Sequence, residues 1–275
     1  MKGKIFLFVF LSGAVLGIGF FFTRHTRLRL LPFAAVGPCD GYTITRGRKT
    51  TTLARSGERW ITDKVYPSNT DAIKELETAF HAVATDDPVS DNPENYPVFR
   101  VDGDVIVCSR AGKEYRLFVG KNADARHSYI RAGNDPAVYI SSLLDGVLYQ
   151  DYRDKNLYLI NDETAVSELR LSFGGTSVVF ARTENGWTRN TVPVTDANVS
   201  TLLGIIRNLK ATDMEVAETP PRYPAFLVAV AGTKTTTVSI AEHAPEVFVL
   251  YRDDSPFLYL VPGQTLDPLF AEIRK

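Results

Sequence analysis

The alternation of apolar and polar positions changes period several times along this chain, and it changes in the same order twice. GYTITRGRKTTTLARSGERWIT (residues 41–62) alternates β-branched and polar residues and breaks at Gly47 and at Ser56-Gly57. That pattern predicts short antiparallel strands joined by tight turns. ELRLSFGGTSVVFARTENGWT (residues 168–188) repeats it, with Gly174-Gly175 and Asn185-Gly186 as the turn signals. The period then lengthens to that of a helix. Ala72, Leu76, Ala79 and Val83 share one face in the first stretch, and Val199, Leu203 and Ile206 share it in the second. Ser68 and Thr195 are the predicted N-caps, with ends near Val83 and Lys210. Asp- and Pro-rich loops follow, DDPVSDNPEN and MEVAETPPR. Tyr96-Pro97 and Tyr223-Pro224 are expected to open strands, because a residue before proline prefers extended backbone. VDGDVIVC, EYRLFVG, SYIRA and AVYIS predict a β-meander, closed by the short amphipathic stretch LLDGVLYQDY.

The recurrence is also literal. ARSGERW (54–60) returns as ARTENGW (181–187), an offset of 127. Without a gap, residues 54–101 lie over 181–228 with 14 identities in 48 columns. About three are expected at a chance match of roughly 6% per column. The match resumes downstream once about seven residues are dropped from the second copy, so that Pro136 and Tyr139 meet Pro256 and Tyr259. The expected fold is therefore α+β: an N-terminal transmembrane helix followed by two tandem copies of an antiparallel-sheet-plus-helix module, copy 1 over 41–158 and copy 2 over 159–275. Whether the copies stand in a row or share one core stays open.

Composition changes the picture only at the N-terminus. With 44% hydrophobic and 23% charged residues the chain reads as globular, and a formal net charge of −1 offers no field to attract nucleic acid. Residues 5–22, IFLFVFLSGAVLGIGFFF, contain no charge and have about the length that spans a bilayer core. After a short flank, 1–4, they read as an uncleaved signal anchor in contact with membrane lipid, because the run exceeds a signal-peptide core and ends in Phe20, Phe21 and Phe22 without a small-residue cleavage site. Residues 23–40 read as a linker. Lys2 and Lys4 on one side nearly balance Arg24, Arg27 and Arg29 on the other, so charge leaves the topology open. Cys39 and Cys108 suit an oxidising compartment, but two cysteines are too few to define a disulfide framework.

Candidate chemistry is sparse. His25, His81, His127 and His243 lack metal-ligand spacing, and no metal or cofactor is expected. Gly120-Lys121 and Gly174-Gly175-Thr176 lack the strand-to-helix setting of a phosphate loop and read as turn glycines. Asp86-Asp87 and Asp253-Asp254 read as solvated loop carboxylates, a cation site requiring about six oxygen ligands. Trp60 and Trp187 are the candidate ligand or partner contacts, since an indole offers a flat apolar face with a polar edge; the competing reading makes each a core anchor, which a duplicated module must keep.

The Trp that follows a strand turn, the helix VSTLLGIIRNLKATD and the stretch DYRDKNLYLINDETAVSEL between the copies together resemble the bacterial "domain of unknown function 4340" family over most of residues 41–275. The resemblance implies a membrane-anchored, largely extracytoplasmic protein associated with transporters of the ABC type, and supplies no catalytic residues. The leading reading is a non-enzymatic accessory or interaction module with a membrane transporter or envelope protein as partner. The alternatives are a peptide- or glycan-binding module using a cleft between the copies, and a hydrolase with an unrecognised carboxylate pair.

Overall fold

The computed structural model describes residues 29–30, 32–85, 87–142, 144–219 and 223–275. The expected anchor at 5–22 and its flank lie outside them. No helix among the described residues is long and apolar enough to cross a membrane. The chain divides into two compact units, one ending at Asp154 and the other running from Lys155 to Lys275.

In the first unit the elements are β1 (Arg29–Leu30), a 3-10 turn (Pro32–Ala35), β2 (Gly41–Arg46), β3 (Lys49–Ser56), β4 (Arg59–Thr62), β5 (Tyr66–Pro67), α1 (Thr70–His81), β6 (Ala84–Thr85), α2 (Tyr96–Phe99), β7 (Asp104–Arg110), β8 (Lys113–Asn122), β9 (His127–Ala132), β10 (Tyr139–Ser142) and α3 (Asp145–Tyr149). Eight strands form one antiparallel sheet in the order β10-β9-β8-β7-β2-β3-β4-β5. The second unit holds β11 (Val166–Phe173), β12 (Thr176–Thr183), β13 (Gly186–Arg189), β14 (Val192–Val194), α4 (Asp196–Arg207), β15 (Asp213–Val216), β16 (Ala225–Ala231), β17 (Lys234–Ala244), β18 (Val247–Arg252), β19 (Phe257–Pro262) and α5 (Gly263–Arg274). Its sheet runs β15-β19-β18-β17-β16-β11-β12-β13-β14, the same order with one strand added at the edge.

Register shows where the duplication holds and where it slips. Tyr42 and Ile44 face Cys108 and Ile106, while Leu169 and Leu171 face Ala229 and Leu227. The offset is 127 on the first strand of each pair and 121 on the second, so six residues are missing from the second copy between helix and meander. The gapless identities at Tyr96, Pro97, Phe99 and Val101 fall in that stretch and are not structural equivalents. Tyr96-Pro97 also opens no strand. Asn92 caps a 3-10 turn leading into α2, and Pro97 sits in the first helical turn, where its missing N–H costs nothing. The Arg131 guanidinium, stacked on the rings of Tyr96 at 4.6 Å and Phe118 at 3.9 Å, holds that segment down. Pro224, by contrast, immediately precedes β16 as expected. MEV, expected as loop, lies in β15, paired along β19.

Each helix buries one stripe. Ala72, Ile73, Leu76 and Phe80 of α1 join Tyr42, Ile44, Leu53, Ile106, Leu117 and Ile130 in a single apolar cluster. Burying each large side chain stabilises by about 1.5–3 kcal/mol. The cap of α1 is Asn69, not Ser68: its side chain accepts from the N–H groups of Asp71 and Ala72, while Ser68 is buried in a hydrogen bond with Thr62. In α4 the buried stripe is Val199, Leu202, Leu203 and Ile206, and Thr195 stands at the cap position without a side-chain bond. The stretch closing copy 2 is longer: α5 buries Leu266, Leu269, Phe270 and Ile273, with the Phe270 ring 4.5 Å from that of Phe173 and 5.3 Å from that of Phe248.

Part of the expected linker, 23–40, is built into the first unit. Phe33, Val36 and Cys39 are buried in its core, and β1 pairs with β6. The second unit begins in the same way: Asn156 bridges to Lys210, and the Leu157 N–H donates to the Leu209 carbonyl at 3.1 Å. Residues 155–158, expected to close copy 1, therefore pair within the second unit.

Candidate functional site

Trp60 and Trp187 sit opposite Arg55 and Arg182 on adjacent short strands. Cross-strand partners share a face, so each Arg lies beside its Trp. The Trp187 ring is 5% exposed and is covered by the Arg182 guanidinium, 5.1 Å from its centroid. Arg182 in turn donates to the Thr164 carbonyl at 2.6 Å. Trp60 is half-buried, packed against the core cluster with its ring 5.9 Å from that of Tyr42. These contacts use the indoles for packing between sheet and core.

Two further repeated contacts escape a comparison of letters. Asp63 and Asn190 occupy equivalent turn positions with positive φ, 51° and 47°. The Asp63 side chain accepts the Thr52 N–H at 2.8 Å, and the Asn190 side chain accepts the Val179 N–H at 2.9 Å. Each residue's own N–H returns a bond to the same partner, so the side chain replaces a missing ladder rung. Thr62 and Arg189 are also equivalent: the first donates to the Tyr152 carbonyl at 3.2 Å, the second to the Glu272 carbonyl at 2.8 Å, tying β4 and β13 to the final segment of each unit.

Several of the remaining candidates have structural partners. Among the described residues no group of three or more His, Cys, Asp or Glu is arranged to hold a metal ion. His81 Nδ1 lies 2.8 Å from the Phe33 carbonyl and His127 Nδ1 lies 2.8 Å from Asp124; His25 falls outside the described residues. Asp254 pairs with Arg252 and Lys234, and Asp253 accepts from the Thr237 N–H; Asp86 lies outside the described residues and Asp87 is exposed. Gly174-Gly175 is a hairpin turn with positive φ at both residues. Gly120 is not a turn residue but a close approach within β8, where a Cβ would stand 2.2 Å from the Phe99 carbonyl.

Among the described residues, acidity is displaced at Asp124, Asp162, Tyr42 and Tyr152. Bonding to the Arg126 backbone and the His127 side chain holds Asp124 below the usual carboxylate range, and the Thr164 hydroxyl does the same for Asp162. Both shifts favour the anion, the opposite of what a general acid requires. Burial first, and Glu77 second, pushes the Tyr42 hydroxyl up; burial and Glu75 do so for Tyr152. Both tyrosines thus remain neutral at physiological pH, and Tyr152 donates to the Val147 carbonyl.

Among the described residues, several depressions have ligand-sized volumes. One, of about 580 Å³ in the first unit, lies over Phe33 and Tyr115 and is rimmed by Glu114, Arg116 and Asp135. Its charges are engaged: Arg116 and Glu114 pair at 2.7 Å, and Asp135 accepts from the Tyr139 hydroxyl at 2.9 Å. In the second unit, one of about 360 Å³ lies beside Phe180, Arg189 and Glu272, and one of about 430 Å³ lies in the stretch that opens the unit.

Cys39 and Cys108 form a disulfide that ties the entering chain to β7, with Cα atoms 5.8 Å apart. The equivalent positions in the second unit are Val166 and Ala229, both buried. The second copy therefore fills with buried apolar residues the two positions that the first copy bridges covalently.

These features define a duplicated, mostly antiparallel β module whose shared contacts are architectural and in which the first copy alone carries a covalent clamp. The family described as "Domain of unknown function (DUF4340)" matches residues 59–225, more than half the chain, and the chain belongs to that family. The match runs from β4 into the start of β16 and so takes in parts of both units. No curated protein and no solved structure matches the chain.

Proposed function

We propose that this chain is a membrane-anchored accessory module without catalytic activity, held in the bilayer by residues 5–22 with its two units on the extracytoplasmic side. Its partner is a membrane transporter or envelope protein, the ABC-type association being what the family resemblance implies. The observation that carries the reading is the buried Cys39–Cys108 disulfide, which uses both cysteines of the chain. Stable structural disulfides belong to oxidising compartments, because cytosolic thiol buffers keep cysteines reduced. The apolar run of residues 5–22 supports the anchor.

Acid-quenched cells tested with a maleimide-polyethylene glycol under denaturing conditions decide the location. The expected result is no adduct before reduction and two adducts after it. Free thiols before reduction, or protection of both units from protease added to spheroplasts, would overturn the location. Crosslinking in intact membranes followed by purification tests the partner, and recovery of the chain alone would count against it.

A further inference from the structure

We propose that the first unit docks on the anionic headgroups of a phospholipid bilayer, through the end of its sheet that carries the β2–β3 turn. This rests on the membrane-anchored reading above and adds to it a second, electrostatic attachment with a defined surface.

Four cations gather there. Arg46, Arg48 and Lys49 belong to the β2–β3 turn; Lys64 lies in the β4–β5 turn next to Asp63, which lines one depression together with Lys49. Arg48, Lys49 and Lys64 are exposed, and none of the four has an ion pair among the described residues. The carboxylates beside them are engaged: Asp63 accepts the Thr52 N–H at 2.8 Å, Asp104 accepts the Gly47 N–H at 2.9 Å, and Asp151 pairs with Arg153 at 2.7 Å. Two exposed apolar groups complete the surface. The Arg46 guanidinium lies 4.4 Å from the centroid of the Tyr149 ring, a residue 60% exposed, and Val65, beside Lys64, is 47% exposed. Cations interleaved with a tyrosine and an apolar side chain form the composition that partitions to a bilayer interface.

The second copy supplies the comparison. At the positions of Arg46, Arg48, Lys49 and Lys64 it has Phe173, Gly175, Thr176 and Thr191, and it closes the same two turns without a cation. The fold therefore does not call for these charges. The opposite end of the first sheet holds Arg55 and Arg59, but Glu58 stands between them and that turn has no exposed large apolar side chain.

Position names the occupant. Neighbouring strands are antiparallel, so β2, β8 and β10 run the same way and β10 ends at the end of the sheet where β2 ends. Ser90 bridges in antiparallel register to Val138, just before β10, so β6, which ends five residues earlier, lies toward the far end of β10. β1 pairs with β6, and the chain thus enters the unit at the end that carries the cations. Six residues, 23–28, separate Arg29 from the apolar run 5–22, a reach of at most about 25 Å whatever their path. A bilayer that holds residues 5–22 stands beside this end, where each Lys or Arg adds to the attraction of an anionic leaflet.

The test reconstitutes the full-length chain into liposomes of phosphatidylcholine alone and of phosphatidylcholine with about one third phosphatidylglycerol. Flotation after a carbonate wash reads the anchor, and hydrogen exchange followed by mass spectrometry reads the docking. The chain is expected to float with both lipids. Exchange in residues 46–50 and 63–66 should slow at least about threefold in the anionic liposomes only, and the difference should vanish at about 1 M salt, where the Debye length is about 3 Å. Residues 55–59 and 173–176 should exchange alike in both. The triple variant Arg48→Gln, Lys49→Thr, Lys64→Thr, which takes the second copy's threonines at two positions, should melt within about 2 °C of the parent and lose the lipid dependence. A chain that floats with both lipids yet exchanges alike in both overturns the docking and leaves the anchor standing, the result expected if this surface served an acidic protein partner instead. A chain washed from both lipids overturns anchor and docking together. Lipid-dependent protection that persists in the triple variant also overturns the docking surface.

Discussion

At the residue scale the repeat is written in contacts rather than in identities. Asp63 and Asn190 differ as letters yet make the same pair of bonds across a turn. Removing either side chain, as Asp63→Ala or Asn190→Ala, should cost about 0.5–1.5 kcal/mol by urea denaturation. Asp63→Asn should change stability by only about a few tenths, because the second copy already uses the amide there. A comparison of letters passes over this pair, since only the strand register puts both residues opposite the same rung. Asp162 gives a pH-dependent case. Its pKa is held down chiefly by the Thr164 hydroxyl, so its contribution to stability is fully present above the ordinary carboxylate pKa and disappears as pH falls through its lowered value. Thr164→Val should raise the Asp162 pKa toward the ordinary value, as followed by carboxyl-carbon NMR titration.

At the scale of elements, the two helices offer a matched comparison. Asn69 accepts two N–H groups at the start of α1, whereas Thr195 makes no side-chain bond at the start of α4. Asn69→Ala should therefore destabilise the first unit by about 1 kcal/mol, while Thr195→Ala leaves the second nearly unchanged; hydrogen exchange resolved by unit measures both. The strands and helices with sustained periodicity were readable, because alternate burial along a strand and a stripe along a helix leave marks in composition. Short elements were not. β15 is four residues beside a Pro-rich stretch, and α2 begins at a Tyr-Pro pair whose local preference is overridden by the stacking of Arg131 on Tyr96. The N-terminal strap reads as a linker because Phe33 and Val36 stand in a short, proline-interrupted apolar run, LLPFAAV, that shows no sustained period.

At the scale of the whole molecule, the two copies differ in how the same junction is closed. Two cysteines 69 residues apart in sequence carry no geometric signal, so their pairing appears only once β2 and β7 are neighbours. Replacing them with the residues that the second copy uses, Cys39→Val with Cys108→Ala, should give a folded chain. Its first unit should be less stable by about 4 kcal/mol, the loop-closure estimate for a bridge of this span. Hydrogen exchange should place the loss in the first unit alone, and dithiothreitol should produce the same pattern in the parent.

The position of the bridge also sets a mechanical property. Cys39 lies ten residues after the first described residue, and Cys108 lies in β7, which is flanked by β2 and β8 in the middle of the sheet. Tension applied through the preceding chain is therefore shared between the backbone entering β2 and the sulfur bridge to β7, two adjacent interior strands whose ladders must be sheared together. Under load the first unit resists as a post fixed at its centre, and the strap upstream of residue 39 yields before the sheet does.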